Sequence, residues 1–223
     1  MNIYHGVPSE SKLARARREA PSFQHGAEYP PYRMSRSHSA RWILDNGAYT
    51  SAFDLAEWVG ALERAGEYAG GPDWVVLPDV YQEGMRSLVR SARYAGLADA
   101  YGYDHYLPVQ DGMRNVEQTV RAAVDLGASG VFVGGSDGFK REYAGQYVMT
   151  AHDYGILAHI GKPGDRLTWA ADLGADSVDT TSIVRNGYWH RLRTLEASSG
   201  TDQQTLADGG TDYEDNSEES VNE

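Results

Sequence analysis

Short apolar runs recur along the chain and alternate with segments that have the periodicity of a helix. Each run is short enough for a buried strand, and in chain order they are Asn2–Tyr4, Trp42–Leu44, Trp74–Leu77, Tyr106–Val109, Val131–Val133, Ile156–Ile160 and Ser177–Val178. Apolar side chains in the intervening segments share one helical face, as at Leu55, Trp58, Val59 and Leu62, or at Met85, Leu88, Val89 and Ala92. This alternation predicts βαβ units and a parallel sheet.

The number of strands favours a closed barrel over an open sheet. Seven strands are evident in 223 residues, so we predict a compact (β/α)8 barrel of the TIM type. The sequence leaves open whether the eighth strand exists or a partner supplies it. The barrel domain spans residues 1–197. We expect Pro21–Ser39 to be a long loop, because it is rich in Pro, Ser, His and Arg.

Charge is distributed unevenly along the chain. The protein has 20 Lys and Arg against 32 Asp and Glu, and eight of the twelve excess acidic residues lie in residues 198–223, which contain no Lys or Arg. That segment is too polar to bury a core, so we predict a disordered acidic tail. Residues 1–41, by contrast, hold seven basic and three acidic residues, a net charge of +4. The scarcity of Lys, 3 residues against 17 Arg, suggests a halophilic protein.

Composition excludes several classes of protein. The chain has no cysteine, which rules out disulfides, a thiolate nucleophile and a Cys-ligated zinc or iron–sulfur site. No apolar run approaches the roughly 18–20 residues of a membrane helix, and the start of the chain lacks the apolar region of a signal peptide. We therefore expect a soluble protein in the cytoplasm, or in the host cytoplasm if the protein is viral.

Polar residues follow several predicted strands at the edge where a parallel α/β fold places its site. In chain order they are Asp45, Asp79, Gln110, Gly134, Gly135 and Asp179. Carboxylates at a barrel mouth suit a nucleophile for a carbon with developing oxocarbenium character, while a second carboxyl handles the proton. Asp and Gln side chains can bind the edge of a flat heterocycle, and paired glycines let a ring or phosphate approach the backbone.

Each of these residues also has an ordinary structural interpretation. Asp45-Asn46-Gly47 is typical of a turn, Asp79 could cap the next helix, and Gln110 could bond a loop. Gly134-Gly135-Ser136 could equally hold a phosphate. We interpret His159 as a packing residue, because no second ligand at metal-binding spacing accompanies it.

The ordered series of segments resembles the guanine transglycosylases, TIM-barrel enzymes that exchange guanine for a 7-deazaguanine base. Asp45-Asn46-Gly47-Ala48-Tyr49 is similar to the Asp-Ser-Gly-Gly-Phe-type segment of that family, and Asp79 matches a later strand-end Asp. Val109–Gly112 is similar to its Val-Gln-Gly-type segment and Val133–Gly135 to its Val-Gly-Gly-type segment. Gly174–Asp179 resembles its Gly-x-Asp-x-x-Asp segment, followed here by an Arg-Asn-Gly stretch. The resemblance covers roughly residues 40–190.

The resemblance implies a role for each matched residue. Asp179 would attack C1′ of a deoxyguanosine to form a covalent aspartyl–glycosyl intermediate, and Asp45 would handle the proton at the base. The purine would be bound by Asp79, Gln110, Gly134 and Gly135, with Tyr49 stacked on it. No cofactor or metal is required. The target nucleotide would have to be flipped out of the stack.

Departures from the family favour DNA over tRNA as the partner. The tRNA enzymes carry a zinc subdomain with three Cys, which this chain lacks, as it lacks an appended RNA-binding domain. The chain is closer in character to the compact relatives, encoded by viruses and DNA-modification clusters, that place 7-deazaguanines in DNA. The incoming base would be 7-cyano-7-deazaguanine or its aminomethyl or formamidino relative. Candidate phosphate contacts are Arg15, Arg17, Arg18, Arg33, Arg36, Arg185, Arg191 and Arg193.

Three alternatives remain open at this stage. The first is a transglycosylase that acts on tRNA. The second is a metabolic TIM-barrel enzyme that binds a phosphorylated small molecule at Gly134-Gly135-Ser136. The third is a non-catalytic barrel that binds nucleic acid.

Overall fold

The computed structural model describes residues 1–34, 41–48, 53–68 and 70–207, with side chains described as far as residue 199. Eight parallel strands close into a barrel in chain order. They are Asn2–Gly6 (β1), Gln24–Tyr29 (β2), Trp42–Leu44 (β3), Val75–Val76 (β4), His105–Val109 (β5), Gly130–Val133 (β6), Leu157–Ile160 (β7) and Ser177–Thr180 (β8).

Helices follow the strands and cover the outside of the barrel. In the described part of the chain they are Glu10–Glu19 (α1), Leu55–Ala65 (α2), Gly84–Ala100 (α3), Val116–Asp125 (α4), Asp137–Asp153 (α5), Leu167–Asp172 (α6), Ser182–Asn186 (α7) and His190–Ala207 (α8). A 3-10 turn lies at Pro31–Arg33. None of the helices in these ranges is long and apolar enough to cross a membrane.

The (β/α)8 barrel prediction is confirmed, and the eighth strand, which the sequence left open, belongs to this chain. The strand that sequence analysis lacked is β2, which lies inside the predicted loop Pro21–Ser39 and pairs with β1 and β3. Strand β2 has no apolar run because two of its inward positions are a glycine and a glutamate. Gly26 is small because a Cβ there would lie 2.7 Å from the Tyr4 ring. Glu28 is a buried carboxyl beside the site.

Helix α3 buries a different face from the one that its apolar residues predict. Met85 and Val89 are exposed, whereas Ser87 and Ser91 are fully buried. The two serine hydroxyls donate hydrogen bonds to the carbonyls of residues 80 and 78, at 2.6 and 2.9 Å. Hydrogen bonding to the loop after β4 therefore decides which side of α3 faces inward, and it fixes that loop at the site.

The predicted tail begins later than Ser198. Helix α8 packs through the buried Leu192 and Leu195 and continues to Ala207, because the residues that follow Leu195 remain compatible with a helix. The remainder of the predicted tail, residues 208–223, lies outside the described residues.

Aromatic rings fill the barrel interior beneath the strand ends. Trp74 stacks on Tyr106 with ring centroids 4.0 Å apart, and His159 stacks on Phe132 at 4.7 Å. Gly130 leaves room for this layer, since a Cβ there would lie 2.7 Å from the Tyr106 ring. The rings close the barrel, so a ligand can enter only from the carboxyl ends of the strands.

A buried histidine pair lies on the outer side of β1 and β2. His5 and His25 stack with centroids 5.3 Å apart, and His5 Nε2 lies 3.0 Å from His25 Nδ1. His25 Nε2 donates to the Ala20 carbonyl at 2.9 Å. Burial, and then the neighbouring His25, lower the pKa of His5 to about 3. Burial also lowers the pKa of His25.

We predict that this pair makes the fold sensitive to acid. The unfolded chain takes up protons near pH 6.5 whereas the folded pair resists them, so stability is complete above pH 6.5 and falls as the pH approaches 3. The free energy of unfolding should fall by about 1 kcal/mol per pH unit per histidine. Urea unfolding at pH 6.5, 5.5 and 4.5 measures it, and the double substitution His5→Leu with His25→Leu should flatten the profile relative to the wild type.

The carboxyl groups titrate in both proteins, so the difference between their profiles isolates the two imidazoles. The control is His190→Gln, because His190 is exposed and its replacement should leave the slope unchanged. Equal slopes in the wild type and the double variant would contradict this account of the pair.

Candidate functional site

A cavity of about 270 Å³ opens at the carboxyl ends of β3 to β7. We call it the central cavity. Its lining includes Asp45, Asn46, Asp79, Gln110, Phe132, Gly134, Gly135 and Lys162. It therefore combines an aromatic ring, several amide and carboxyl groups, and open backbone. Such a lining suits a small flat polar ligand.

Two side-chain amides hold the Asp79 carboxylate. Asn46 Nδ2 donates to Asp79 Oδ1 at 3.0 Å, and Gln110 Nε2 donates to Asp79 Oδ2. The side-chain Oε1 of Gln110 in turn accepts a hydrogen bond from the backbone N–H of Gln82 at 3.3 Å. Burial first, and then the charge of Asp45, raise the pKa of Asp79 to about 6. Asn46, Asp79 and Gln110 thus form a pre-oriented row of hydrogen-bond donors and acceptors along one side of the central cavity.

The structure tests two of the ordinary structural interpretations, the helix cap for Asp79 and the turn for the Asp45 segment. The residue before α3 is Glu83, so Asp79 does not cap that helix. The Asp45 segment does form a turn, because Asn46 N donates to Asp45 Oδ1 at 2.8 Å and Gly47 has a φ of +75°. The same turn carries Asp45 and Asn46 into the lining of the central cavity. Turn chemistry and a site are therefore compatible here.

A second cavity of about 450 Å³ adjoins the first. We call it the cationic recess, because four of the residues that line it are Lys12, Arg33, Lys162 and Arg185. Asp45 and Lys162 line both cavities and form the wall between them. A concentration of basic side chains is unusual in a chain with a net charge of −12. It marks the recess as a place for an anion.

Three carboxyl groups, those of Glu28, Asp45 and Asp179, influence one another at this shared wall, and their ionisation differs. Burial raises the pKa of Glu28 well above its usual range, helped by the charges of Asp179 and Asp45. Burial also raises the pKa of Asp45. Burial opposes ionisation of Asp179 as well, yet hydrogen bonding from His159 and the charge of Lys162 hold its pKa below the ordinary value. Within the cluster, Asp179 is therefore the carboxyl group that ionises most readily, and Glu28 and Asp45 ionise less readily.

Asp179 is fully buried and is held at one oxygen only. Its Oδ1 accepts from His159 Nε2 at 3.1 Å and from the backbone N–H of Lys162 at 3.0 Å. Its Oδ2 has no hydrogen-bond partner among the described residues. Asp179 does not itself line either cavity, since it lies beneath Lys162 and Asp45. Lys162 adopts a φ of +45°, which a non-glycine residue rarely does.

Lys140 fixes the loop that covers Asp179. Its ammonium group is almost completely buried and donates to the carbonyls of Gly161 and Lys162 at 3.0 and 3.1 Å. An ion pair with Asp137 at 3.4 Å balances part of the charge. The Lys140 contacts thereby hold the Lys162 backbone at the place where its N–H reaches Asp179.

A carboxylate of the protein itself already binds the donors of the glycine turn after β6. The Asp111 carboxylate accepts from the Ser136 backbone N–H at 2.7 Å and also from the Ser136 hydroxyl. A phosphate at Gly134-Gly135-Ser136 would meet this negative charge and would find these donors engaged. The turn is therefore a poor phosphate site, and the cationic recess is the better one.

The predicted phosphate-contacting arginines do not share one surface. Arg33 and Arg185 line the cationic recess. Arg15 and Arg193 both pair with Glu19, at 3.1 and 2.7 Å, and Arg191 bonds to Ser182 and Gly164. Arg17 and Arg18 are in the last turn of α1. Arg36 and Tyr49 lie outside the described residues.

Sequence analysis missed five residues of the site: Glu28, Phe132, Lys140, His159 and Lys162. Glu28 and His159 were missed because they lie within strands rather than after them. Strand alternation would have found His159, since Phe132 and His159 are paired in register and share the inward face. Lys140 is one turn into a helix. Among the described residues, no group of three or more His, Asp or Glu side chains is arranged to hold a metal ion.

Comparison with known proteins identifies the fold only. No protein-family model and no curated protein matches the chain. Among solved structures, a native KDPGal structure matches with a TM-score of 0.53 and 13% identity, covering 93% of this chain and 95% of its own. A 3-hexulose-6-phosphate synthase matches with a TM-score of 0.50 and 9% identity over 87% of this chain and 98% of that one.

A tryptophan synthase complex from Pyrococcus furiosus also matches. Its TM-score is 0.50 and its identity 10%, over 93% of this chain and 97% of that chain. At such identities these likenesses establish a common (β/α)8 barrel and no more.

We predict that Asp79 titrates near pH 6, because burial and the Asp45 charge both disfavour its ionised form. Carboxyl 13C NMR would follow the titration, with the resonance assigned by its loss in Asp79→Asn. In Asp45→Asn the midpoint should move down while staying above the ordinary value of about 4, since burial remains. A midpoint near 4 in the wild type would contradict the geometry of this group.

We also predict that Gly161→Ala disturbs the floor of the central cavity. A Cβ at Gly161 would lie 2.7 Å from two Phe132 ring atoms, so the ring must shift and the fold should lose about 1–3 kcal/mol. The control is Gly96→Ala, because nothing lies within 4 Å of a Cβ in that helix. It should stabilise by up to ~1 kcal/mol. Urea unfolding measures both, and a Gly161→Ala protein as stable as the wild type would refute the contact.

Proposed function

We propose that the protein is a guanine transglycosylase that exchanges guanine in DNA for a 7-deazaguanine base. Asp179 Oδ2 attacks C1′, the bond from C1′ to guanine N9 breaks, and a carboxyl proton from Asp45 goes to the departing base. The incoming base then returns a proton to Asp45 as its own nitrogen displaces Asp179. Two displacements at C1′ retain the configuration.

The observation that carries this proposal is the divergent ionisation of neighbouring carboxyl groups. A nucleophile must be ionised and a proton donor must be protonated, and pairs whose environments push their pKa values apart are typical of such sites. Asp179 has a lowered pKa, and Asp45 beside it has a raised one. Asp45 lines both cavities, which supports a role for it at the junction between a bound base and its sugar.

The central cavity provides suitable contacts for a purine. Asp79 can accept hydrogen bonds from an N–H edge, and it keeps free lone pairs after its bonds to Asn46 and Gln110. Phe132 offers an apolar face, and Gly134 leaves the backbone open to a ring. Gly134 has no side chain because a Cβ would lie 3.0 Å from Gln110 Nε2.

The cationic recess supports a polynucleotide rather than a free nucleoside as the substrate. A base in the central cavity and a sugar at the shared wall would bring the flanking phosphates to Lys12, Arg33 and Arg185. Contacts of this kind position a strand without sequence preference. Asp179 is fully buried and lines neither cavity, so attack on C1′ requires the surrounding residues to open a path to its Oδ2.

The test is base exchange with labelled guanine or a labelled 7-deazaguanine, offered to duplex DNA, single-stranded DNA and tRNA in parallel. We expect incorporation into DNA and a protein–oligonucleotide adduct on a denaturing gel. Asp179→Asn should abolish the adduct and lower exchange by about 10³-fold or more. Asp45→Asn should slow exchange while retaining a detectable adduct.

The matched control is Asp172→Asn, which alters an exposed carboxylate at the end of α6, remote from the barrel mouth. It should exchange at the wild-type rate. Incorporation into tRNA alone would assign the RNA reaction instead. Binding of DNA that is indifferent to Asp45 and Asp179 substitution, with no exchange, would indicate a non-catalytic binding barrel.

A metabolic enzyme acting on a phosphorylated small molecule is the second candidate. It is favoured by the fold neighbours, one of which is a 3-hexulose-6-phosphate synthase, and by the cations of the recess. This candidate places the phosphate at Lys12, Arg33 and Arg185 rather than at the turn that Asp111 occupies. Calorimetry with inorganic phosphate and a hexulose phosphate, with and without oligonucleotide, separates the two. Sugar phosphate binding that oligonucleotide does not displace would favour the metabolic enzyme.

A further inference from the structure

His159 and Ser177 form a buried chain of polar groups behind Asp179. His159 Nδ1 lies 2.8 Å from Ser177 Oγ and its Nε2 lies 3.1 Å from Asp179 Oδ1. Asp179 and His159 are both fully buried, and Ser177 is 2% exposed. The three residues belong to β7 and β8, which are paired at His159 and Ser177. Their relative positions are therefore set by the barrel itself.

Packing leaves the imidazole no freedom to turn. Phe132 stacks on one side of it at 4.7 Å with an interplanar angle of 17°. Trp74 meets it edge-on, with ring centroids 5.0 Å apart. A polar ring held this tightly among aromatic side chains gains nothing from solvent, so both ring nitrogens depend on the two partners within the chain.

The hydrogen-bond partners determine which nitrogen carries the proton. A carboxylate only accepts, so Nε2 must donate to Asp179. When Nδ1 carries no hydrogen, it can accept the hydroxyl proton of Ser177. Without Ser177, the alternative tautomer with hydrogen on Nδ1 would direct an imidazole lone pair at the carboxylate and repel it.

We propose that His159 is a positioning residue for Asp179. Its Nε2–H holds Oδ1, so that Oδ2 is the oxygen left for the reaction, and Ser177 selects the tautomer that does this. The role in catalysis rests on the proposed transglycosylase function, whereas the pairing of His159 with Asp179 does not.

Other groups around the carboxylate make this donor necessary. Glu28 on β2 and Asp45 after β3 repel the Asp179 carboxylate whenever they ionise, and Lys162 after β7 supplies the opposing charge. Tyr4 on the neighbouring strand has its ring 6.3 Å from His159. Asp179 would be driven towards its neutral form without the His159 hydrogen bond, and a neutral carboxyl is a poor nucleophile.

The first measurement needs no substrate. In protein labelled with 15N-histidine, the ring signals of His159, distinguished from those of the other six histidines by their loss in His159→Gln, should show hydrogen on Nε2. Ser177→Ala should increase the population with hydrogen on Nδ1. A wild-type His159 with hydrogen on Nδ1 would overturn the proposal.

The second measurement compares three substitutions. His159→Leu removes the donor, His159→Gln keeps an N–H at the position of Nε2, and Ser177→Ala leaves the ring in place. We expect exchange to fall about 10–100-fold in His159→Leu, chiefly in kcat. His159→Gln should stay within about threefold of the wild type. The carboxyl 13C signal of Asp179, assigned with Asp179→Asn, should titrate at higher pH in His159→Leu.

The outcomes separate this proposal from the proposed function. If His159→Gln is as impaired as His159→Leu, or if Asp179 titrates identically in both, the ring acts by packing alone and the proposal is overturned. If His159→Leu does not fold, the Ser177→Ala tautomer measurement decides. If no variant and no wild-type protein exchanges base while the NMR results hold, the transglycosylase fails and the pairing stands.

Discussion

Much of the site is arranged around one requirement, which is to stabilise an ionised carboxylate at the centre of the barrel. Asp179 has no solvent contact, and an uncompensated charge in such a place would cost several kcal/mol. Compensation comes from a histidine N–H, a backbone N–H and the ammonium of Lys162. Because that compensation is directed at Asp179, burial and the neighbouring charges keep the pKa of Glu28 well above its usual range.

The barrel allows these contacts because a residue without a side chain leaves space for an aromatic ring. Gly161 has no Cβ, so Phe132 can lie against β7 and stack on His159. The same stacking presents one edge of the imidazole to Asp179. Lys140 acts from the other side, because its bonds to the Gly161 and Lys162 carbonyls hold the loop that donates to the carboxylate. A small residue, an aromatic ring and a buried cation thus cooperate in placing one oxygen.

The extent to which the sequence predicts this molecule follows from where each residue lies in the strand pattern. Residues directly after an apolar run, such as Asp45, Asp79 and Gln110, can be recognised because parallel strands end at one edge. β2 could not be found this way, since Gly26 and Glu28 replace the apolar residues that mark a strand. The inward face of α3 was also mispredicted, because hydroxyl bonds from Ser87 and Ser91 outweigh the burial of Met85.

Charge links the two cavities through their common wall. Burial raises the pKa of both Glu28 and Asp45, and the charge of Lys162 opposes part of that rise. Lys162 also lines the cationic recess. An anion bound in the recess would compete with these carboxyl groups for the Lys162 charge and would raise the pKa of Asp45 further. Asp179 has a second source of stabilisation in the hydrogen bond from His159. In the proposed mechanism, occupation of the recess would therefore widen the difference in pKa between Asp45 and Asp179, which is the difference that acid–nucleophile chemistry uses.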